Sequence, residues 1–298
     1  MNKFQRQLLI MLCFAVAVVI TFSRLQSQSR NIKPQSGQPN RIVSLSPNLT
    51  EILFELGLDE KIIAVSDDSD YPPQAAKKNK VGTFWQPNTE AIIACRPDLV
   101  VAESFEQQKA VTESLKKLGY EILGLKIEKI EELFAAIEKI GNATGRRQRA
   151  DELVKNIKAQ LDGLRSKLGS SGKVRVLWVI QAEPLRAAGR STFINELIEL
   201  VGGGNVISDT IQQYPPISTE ELLASGVEVI IQSAMGKGRI ENEQKAAEAF
   251  WSKWGNLPAV KNHKIYVIEP DTILRLGPRL PQGAEIIARC IAANKVNQ

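Results

Sequence analysis

Only one histidine, His263, occurs in the 298 residues, in the polar turn Lys261-Asn262-His263-Lys264. No second histidine and no suitably placed cysteine accompanies it, so it reads as a solvated turn residue, neither a catalytic base nor a metal ligand. The chain has no G-x-S-x-G elbow, no P-loop and no G-x-G-x-x-G. Gly202-Gly203-Gly204 follows a helical pattern and reads as a helix cap and turn. Asp67-Asp68-Ser69-Asp70 is acidic enough to attract a cation, but its spacing fits no calcium loop, and a solvated turn is expected. These residues do not assemble a reaction, and the chain is not expected to be an enzyme or to need a cofactor.

Recognition is better supplied. Phe84-Trp85-Gln86-Pro87, Tyr214-Pro215-Pro216, and Asp271 with Arg275 all fall in segments that follow strand patterns. Aromatic rings beside prolines give flat, rigid, apolar walls that lose little entropy when a large planar ligand docks. Asp271 and Arg275 would fix its polar edge. Two blander readings stand beside this one: the rings cap the sheet core, and Asp271 with Arg275 forms an internal ion pair.

The elements that must carry these loops alternate. Arg41–Leu45, Lys61–Val65, Asp98–Ala102 and Glu121–Leu125 are short apolar runs that read as buried strands; Thr50–Leu56, Thr89–Cys95 and Glu106–Leu118 between them have helical spacing. A second set follows, with strands at Val174–Ile180, Val227–Gln232 and Lys264–Ile268 and helices at Ile194–Val201, Thr219–Ala224, Gln244–Trp254 and Pro281–Ala293. Alternation of this kind predicts two α/β units with mostly parallel sheets. Between them, Arg146–Leu168 reads as one helix with a stripe of Leu153, Ile157, Leu161, Leu164 and Leu168, stopped by Ser170-Ser171-Gly172. At 1.5 Å per residue it would span on the order of 35 Å, long enough to brace both units. An internal repeat at an offset of 130 residues relates Thr89-Glu90-Ala91-Ile92-Ile93-Ala94 to Thr219-Glu220-Glu221-Leu222-Leu223-Ala224. Two similar halves imply a cleft between them, and ligands of open α/β sheets lie beyond the carboxyl ends of the strands.

Charge excludes a nucleic-acid partner. Lys3, Arg6, Arg24 and Arg30 supply +4 of the formal +5, and the remainder, with nearly balanced charge, has no concentrated basic face. Lys3 and Arg6 precede the 15-residue apolar run Leu8–Phe22, followed by a polar stretch, which is export-signal architecture. The run is short for a spanning helix but lacks a clean cleavage site, so a cleaved signal and an uncleaved anchor both stand. Cys13 lies mid-run behind Leu12 and is not read as a lipidation site. Either way the folded part is expected outside the cytoplasm. There, Cys95 and Cys290 read as two buried thiols, although an oxidising compartment would also allow a bridge.

Several ordered motifs in residues 40–296 together resemble a known family. They are Arg41-Ile42-Val43-Ser44-Leu45-Ser46-Pro47 with Thr50-Glu51, Asp70-Tyr71-Pro72-Pro73, Val81-Gly82 followed by Asn88-Thr89-Glu90, and Arg96-Pro97-Asp98-Leu99-Val100. The chain is similar to the helix-linked periplasmic binding proteins of iron and vitamin B12 importers, most of all to its vitamin B12-binding members. The resemblance implies two Rossmann-like lobes joined by a single long α-helix, the class III periplasmic-binding-protein fold. Its segments would be a signal or anchor with linker over 1–39, an N-terminal lobe over 40–145, the interlobe helix over 146–169 and a C-terminal lobe over 170–298.

The resemblance further implies a monomeric extracytoplasmic receptor that captures a corrinoid and delivers it to a permease with its ATPase subunit, touching the membrane only through the N-terminal segment. Phe84, with Trp85 beside it, and Tyr214 would contact the face of the ligand; Asp271 and Arg275 would hold its edge; Glu90 and Glu220 would dock on the permease. Asp68, Glu103 and Arg186 fall where those relatives place aromatic ligand contacts, so the pocket departs from theirs toward greater charge. The family's disulfide partner of Cys290 is Val201 here, so that bridge is not expected. The extra charge keeps a ferric siderophore open as the ligand, with haem less favoured because His263 is badly placed and Tyr71 belongs to a structural motif. A membrane-anchored sensor on the same fold is the remaining alternative.

Overall fold

The computed structural model describes residues 37–168, 173–235 and 239–292. The apolar run Leu8–Phe22, most of the linker and the helix stop at Ser170-Ser171-Gly172 lie outside the described residues. In the N-terminal half the elements are β1 (Ile42–Ser44), α1 (Pro47–Glu55), β2 (Ile62–Val65), β3 (Asn79–Lys80), α2 (Thr89–Ala94), β4 (Leu99–Glu103), α3 (Glu106–Lys117), β5 (Ile122–Leu125) and α4 (Ile130–Thr144). The long helix α5 (Arg147–Leu168) follows. The C-terminal half contains β6 (Val174–Gln181), β7 (Arg186–Ala187), α6 (Phe193–Leu200), β8 (Gly203–Asn205), α7 (Thr219–Ser225), β9 (Val229–Ser233), α8 (Ile240–Trp251), α9 (Pro258–Lys261), β10 (Ile265–Ile268), α10 (Asp271–Leu274) and α11 (Leu280–Ala292).

Two separate sheets result. The first is wholly parallel in the order β3-β2-β1-β4-β5. The second has β6 at its centre, with β9 and then β10 parallel on one side; on the other side β8 pairs parallel with the start of β6 and β7 antiparallel with its end. The strands read as continuous apolar runs because both faces of each sheet are covered. Successive residues alternate between faces: Ile42, Val65, Leu99 and Val101 pack on one side, Val43, Ala64, Val100 and Ala102 on the other. In the second sheet Val176, Trp178, Val229 and Ile231 pack on one side and Leu177, Val179 and Ile230 on the other.

One face of each sheet belongs to the same hydrophobic cluster. Ile42 and Val101 of the first sheet and Trp178 and Ile231 of the second are joined through α4 (Leu133, Ile137, Ile140), α5 (Val154, Ile157, Leu161), α6 and α11. Helix α5 packs against α4 on one side and α11 on the other, so the expected brace is present. Its 22 residues span about 33 Å. The side chains that carry it are Val154, Ile157 and Leu161, with Leu153 and Leu164 at the margin.

Some expectations fail for local reasons. Gly203 and Gly204 are not part of a helix cap; they pair with Val174 and Arg175 as β8, and only Gly202, at φ 82°, makes the turn. Side chains are excluded there, since a Cβ on Gly203 would sit 2.8 Å from Ile198. Helix α4 was not anticipated, although Leu133, Phe134, Ile137 and Ile140 carry the 3.6-residue period. The expected thiols are free: Cys95 is half-buried and Cys290 buried. Cys290 shares its apolar cluster with Val201, and burial pushes its thiol up to about 11.

A second tie joins the halves besides α5. Arg279 of the C-terminal half makes a two-pronged ion pair with Glu51 of α1, at 2.6 and 2.8 Å, and its guanidinium lies 4.1 Å from the Tyr71 ring centroid. Arg275 pairs with Asp70 at 2.7 Å, and the Asn48 side-chain amide donates to the Leu276 carbonyl at 3.2 Å. The acidic turn at 67–70 is therefore not simply solvated, because Asp70 closes an interlobe ion pair.

Candidate functional site

In the first sheet the strand order reverses between β1 and β4, the switch point where a parallel sheet leaves a crevice at its carboxyl edge. Ser46 follows β1 there and Glu103 ends β4; their side chains meet at 3.0 Å. Glu103 is only 5% exposed. Burial pushes its carboxyl up to about 7, against hydrogen bonds from Asn48 and Ser46, and Glu128 adds a like charge. The folded state thus holds this proton more tightly than the unfolded chain. Stability is fully present below the ordinary carboxyl range and is lost as pH rises toward 7. Glu103→Gln is therefore expected to be more stable than the parent by up to about 3 kcal/mol at pH 8 and little different at pH 4, as read by urea unfolding at the two pH values.

The aromatic wall is built on the same edge. Phe84 meets Trp85 edge-on at 4.8 Å between centroids and Phe105 at 5.8 Å. Trp85 is 61% exposed, a large apolar side chain left to solvent. A tight loop presents these rings. Gly82 adopts φ +92°, and a Cβ there would lie 2.6 Å from the Gln86 carbonyl, so only glycine lets the loop close on itself. Asn88 donates to the Val81 carbonyl at its far end. The Phe84 amide donates to Asp68 at 3.0 Å, and the fully buried Gln108 ties three segments together. Its side-chain amide donates to the carbonyls of Leu45 and Phe84, both at 3.0 Å, while its carbonyl accepts from the Glu103 amide at 3.2 Å.

The second sheet contributes Arg186 in β7 and Tyr214 on the segment beside it. Arg186 donates to the Tyr214 carbonyl at 2.6 Å, and Gly189 donates to the Gln213 carbonyl at 2.7 Å. Burial raises the Tyr214 phenol, and the charge of Glu128 from the first half adds to it. Glu128 therefore influences both Glu103 and Tyr214. Among the described residues no ring contact or hydrogen bond joins Phe84 to Tyr214.

Asp271 does not lie on an open loop; it begins the short helix α10. Arg275 contacts Asp271 at 3.1 Å, Asp70 at 2.7 Å and the Asp68 carbonyl at 3.1 Å. The internal ion pair, one of the two readings of Asp271 and Arg275, is what the geometry shows. Asp68, Phe84, Glu103, Asp271 and Arg275 thus belong to one connected network, and Arg186 with Tyr214 to a second. Glu90 and Glu220 stand apart, exposed in the first turns of α2 and α7, whose caps are Asn88 and the Ser218–Glu221 capping box. His263 is exposed in its turn. Residues not singled out from the sequence are Phe105, Gln108 and Glu128, together with Arg279 of the interlobe tie, whose partner Glu51 entered only as part of a motif. Phe105 and Glu128 follow strands β4 and β5, a position that could have flagged them; nothing in the sequence marks Gln108.

A cavity of about 580 Å³ lies elsewhere, within the C-terminal half between the 206–217 segment and α7, lined by Leu177, Ile207, Pro215, Leu222 and Glu221 among others. Neither Tyr214 nor any residue of the first half lines it. The strand-order reversal, not this cavity, therefore locates the candidate site.

Comparison with known proteins identifies the family. The sequence model of the family described as Periplasmic binding protein matches residues 42–272. The chain is 29% identical over 279 residues to the Bacillus subtilis protein described as an uncharacterized ABC transporter substrate-binding lipoprotein, YvrC, covering 91% of this chain and 85% of that one. It is 29% identical over 240 residues to the vitamin B12-binding protein of Vibrio parahaemolyticus, covering 80% and 84%. Among solved structures, the periplasmic vitamin B12-binding protein BtuF of Vibrio cholerae superimposes with a TM-score of 0.73 at 27% identity, over 86% of this chain and 98% of that one.

Proposed function

We propose, from the premise that this chain belongs to the periplasmic binding protein family, that it binds a corrinoid between its lobes for delivery by an ABC importer. As a substrate-binding protein of the B12, iron and haem group, it works by capture without chemistry. The observation that carries the ligand reading is an aromatic group on each half: Phe84, Trp85 and Phe105 at the carboxyl edge of one sheet, and Tyr214, held by Arg186 beside the edge strand of the other and near enough to Glu128 of the first half to feel its charge. Such groups suit a broad, flat, largely uncharged molecule. The vitamin B12-binding relatives support this assignment.

In this reading Asp68 orients the Phe84 loop, while Asp271 and Arg275 border the ligand edge as an ion pair already made. Glu90 and Glu220, one per lobe, dock on the permease, where rim charges set orientation and on-rate. The chain acts outside the cytoplasm as a monomer. No helix of the described residues is long and apolar enough to cross a membrane.

Calorimetric titration with cyanocobalamin, dicyanocobinamide and a ferric siderophore tests the ligand. Tyr214→Ala and Phe84→Ala are each expected to weaken cyanocobalamin binding roughly tenfold to a hundredfold, the usual cost of losing an aromatic contact. Binding as tight as in the parent would sink the site assignment. A ferric siderophore is the second reading, favoured by the charges of Arg186 and Asp68 in place of aromatic contacts; tighter binding of the siderophore in the same titration would select it.

A further inference from the structure

Ser46 is the key to the protonation of the cleft floor. Its hydroxyl has one hydrogen and lies between two oxygens, Asn48 Oδ1 and Glu103 Oε1. Asn48 cannot turn its amide to relieve this: Oδ1 already accepts from the Leu49 amide at 2.8 Å, and Nδ2 donates to the Leu276 carbonyl at 3.2 Å. The serine hydrogen therefore goes to Asn48. The contact with Glu103 is then favourable only if the carboxyl supplies the hydrogen, making a chain from Glu103 to Ser46 to Asn48 to Leu276 that ends in the other lobe. Besides Ser46, the Asn48 side chain offers a contact that favours the charge, but its Nδ2 already donates to Leu276; the remaining groups facing Glu103 do not favour one. Gln108 turns its carbonyl to the Glu103 backbone amide, and Glu128 is a like charge. The cation beside Glu128, Lys126, is engaged with Glu128 at 3.0 Å and Glu132 at 3.5 Å.

Resting on the corrinoid reading, we propose that Glu103 is a specificity-determining residue: it stays a neutral carboxylic acid beneath an uncharged, amide-bearing edge of the ligand and disfavours ligands that bring a carboxylate there. The physics has a definite sign. An uncharged ligand laid over Glu103 removes its remaining contact with water, which raises the cost of ionising it further. Binding therefore takes up a proton wherever the free receptor has begun to ionise, and affinity falls as pH rises through that range. A cationic ligand edge would do the reverse and release a proton.

The test is calorimetric titration with cyanocobalamin from pH 6 to pH 8.5, repeated at pH 7.5 in phosphate and in Tris so that the buffer heats report proton transfer. Affinity is expected to fall about tenfold across the range, with most of one proton taken up per ligand at pH 7.5. Glu103→Gln should remove both the slope and the proton uptake. It should also narrow the preference for cyanocobalamin over cobyrinic acid, whose periphery bears carboxylates in place of amides. Binding without pH dependence, release of a proton, or an unchanged slope in Glu103→Gln would each overturn the proposal and leave the corrinoid reading standing. The wild-type profile decides the point even if the variant does not fold. If neither corrinoid binds at any pH, the ligand reading itself fails and this proposal with it.

Discussion

Arg279→Ala is expected to lower the free energy of unfolding by about 3–5 kcal/mol, because it strands a buried carboxylate. Glu51 is 2% exposed, and both of its oxygens accept from Arg279. The two partners register their pairing differently. Burial raises the Glu51 carboxyl despite the arginine, whereas the Arg279 guanidinium is held more firmly protonated by the carboxylate despite its own burial. The difference follows from position, since Glu51 lies deeper. Desolvation of Glu51 is thus only partly offset, and removing Arg279 leaves the penalty without its compensation. Replacing both residues with leucine should cost less than Arg279→Ala alone. Urea unfolding of the single and double variants checks this; a loss below about 1 kcal/mol for Arg279→Ala would show that the ion pair contributes little to holding the halves together.

Gln108→Leu is expected to cost about 4 kcal/mol of stability and also to weaken ligand binding. The side chain is wholly buried and satisfies three backbone groups, the carbonyls of Leu45 and Phe84 and the amide of Glu103. Leucine fills similar space but leaves these groups without partners, at about 1–3 kcal/mol each. Loss of the Phe84 contact also frees the loop that presents the aromatic wall, so cyanocobalamin affinity should fall by about tenfold even at temperatures where the variant is fully folded. Gln108→Glu is no milder: ionised, it keeps an acceptor for the Glu103 amide but loses the donors to Leu45 and Phe84 and sets a buried charge against their carbonyls, so both binding and the thermal midpoint should fall at least as far as in Gln108→Leu. Unchanged affinity in both variants would reduce Gln108 to a core residue.

The architecture was legible because burial on both faces of a parallel sheet writes apolar runs directly into the chain. Runs such as Val174–Ile180 and Asp98–Ala102 lie within a few residues of the strands that form. The long helix was legible from its stripe, and the two-lobed organisation from the repeat relating Glu90 to Glu220. The small β8 was not, because Gly203 and Gly204 pair by backbone alone and offer no side-chain period. The aromatic loops were visible from composition. The polar network behind them was not, since two of the partners of Gln108 are 24 and 63 residues away and Arg275 and Arg279 each reach a partner more than 200 residues away. Arg275 shows the limit most clearly. Its type and spacing suited a ligand contact, yet Asp70, distant in sequence, already engages its guanidinium.

The apolar cluster that runs from one sheet through the helices into the other has a bearing on release. A receptor whose halves hang on a soft hinge can let go of its cargo simply by springing apart. Here parting the halves would wet the side chains shared by α4, α5, α6 and α11 and break the arginine clasp as well. Left to itself, such a molecule has little reason to gape. The work of prying it open has to come from the machine to which it delivers.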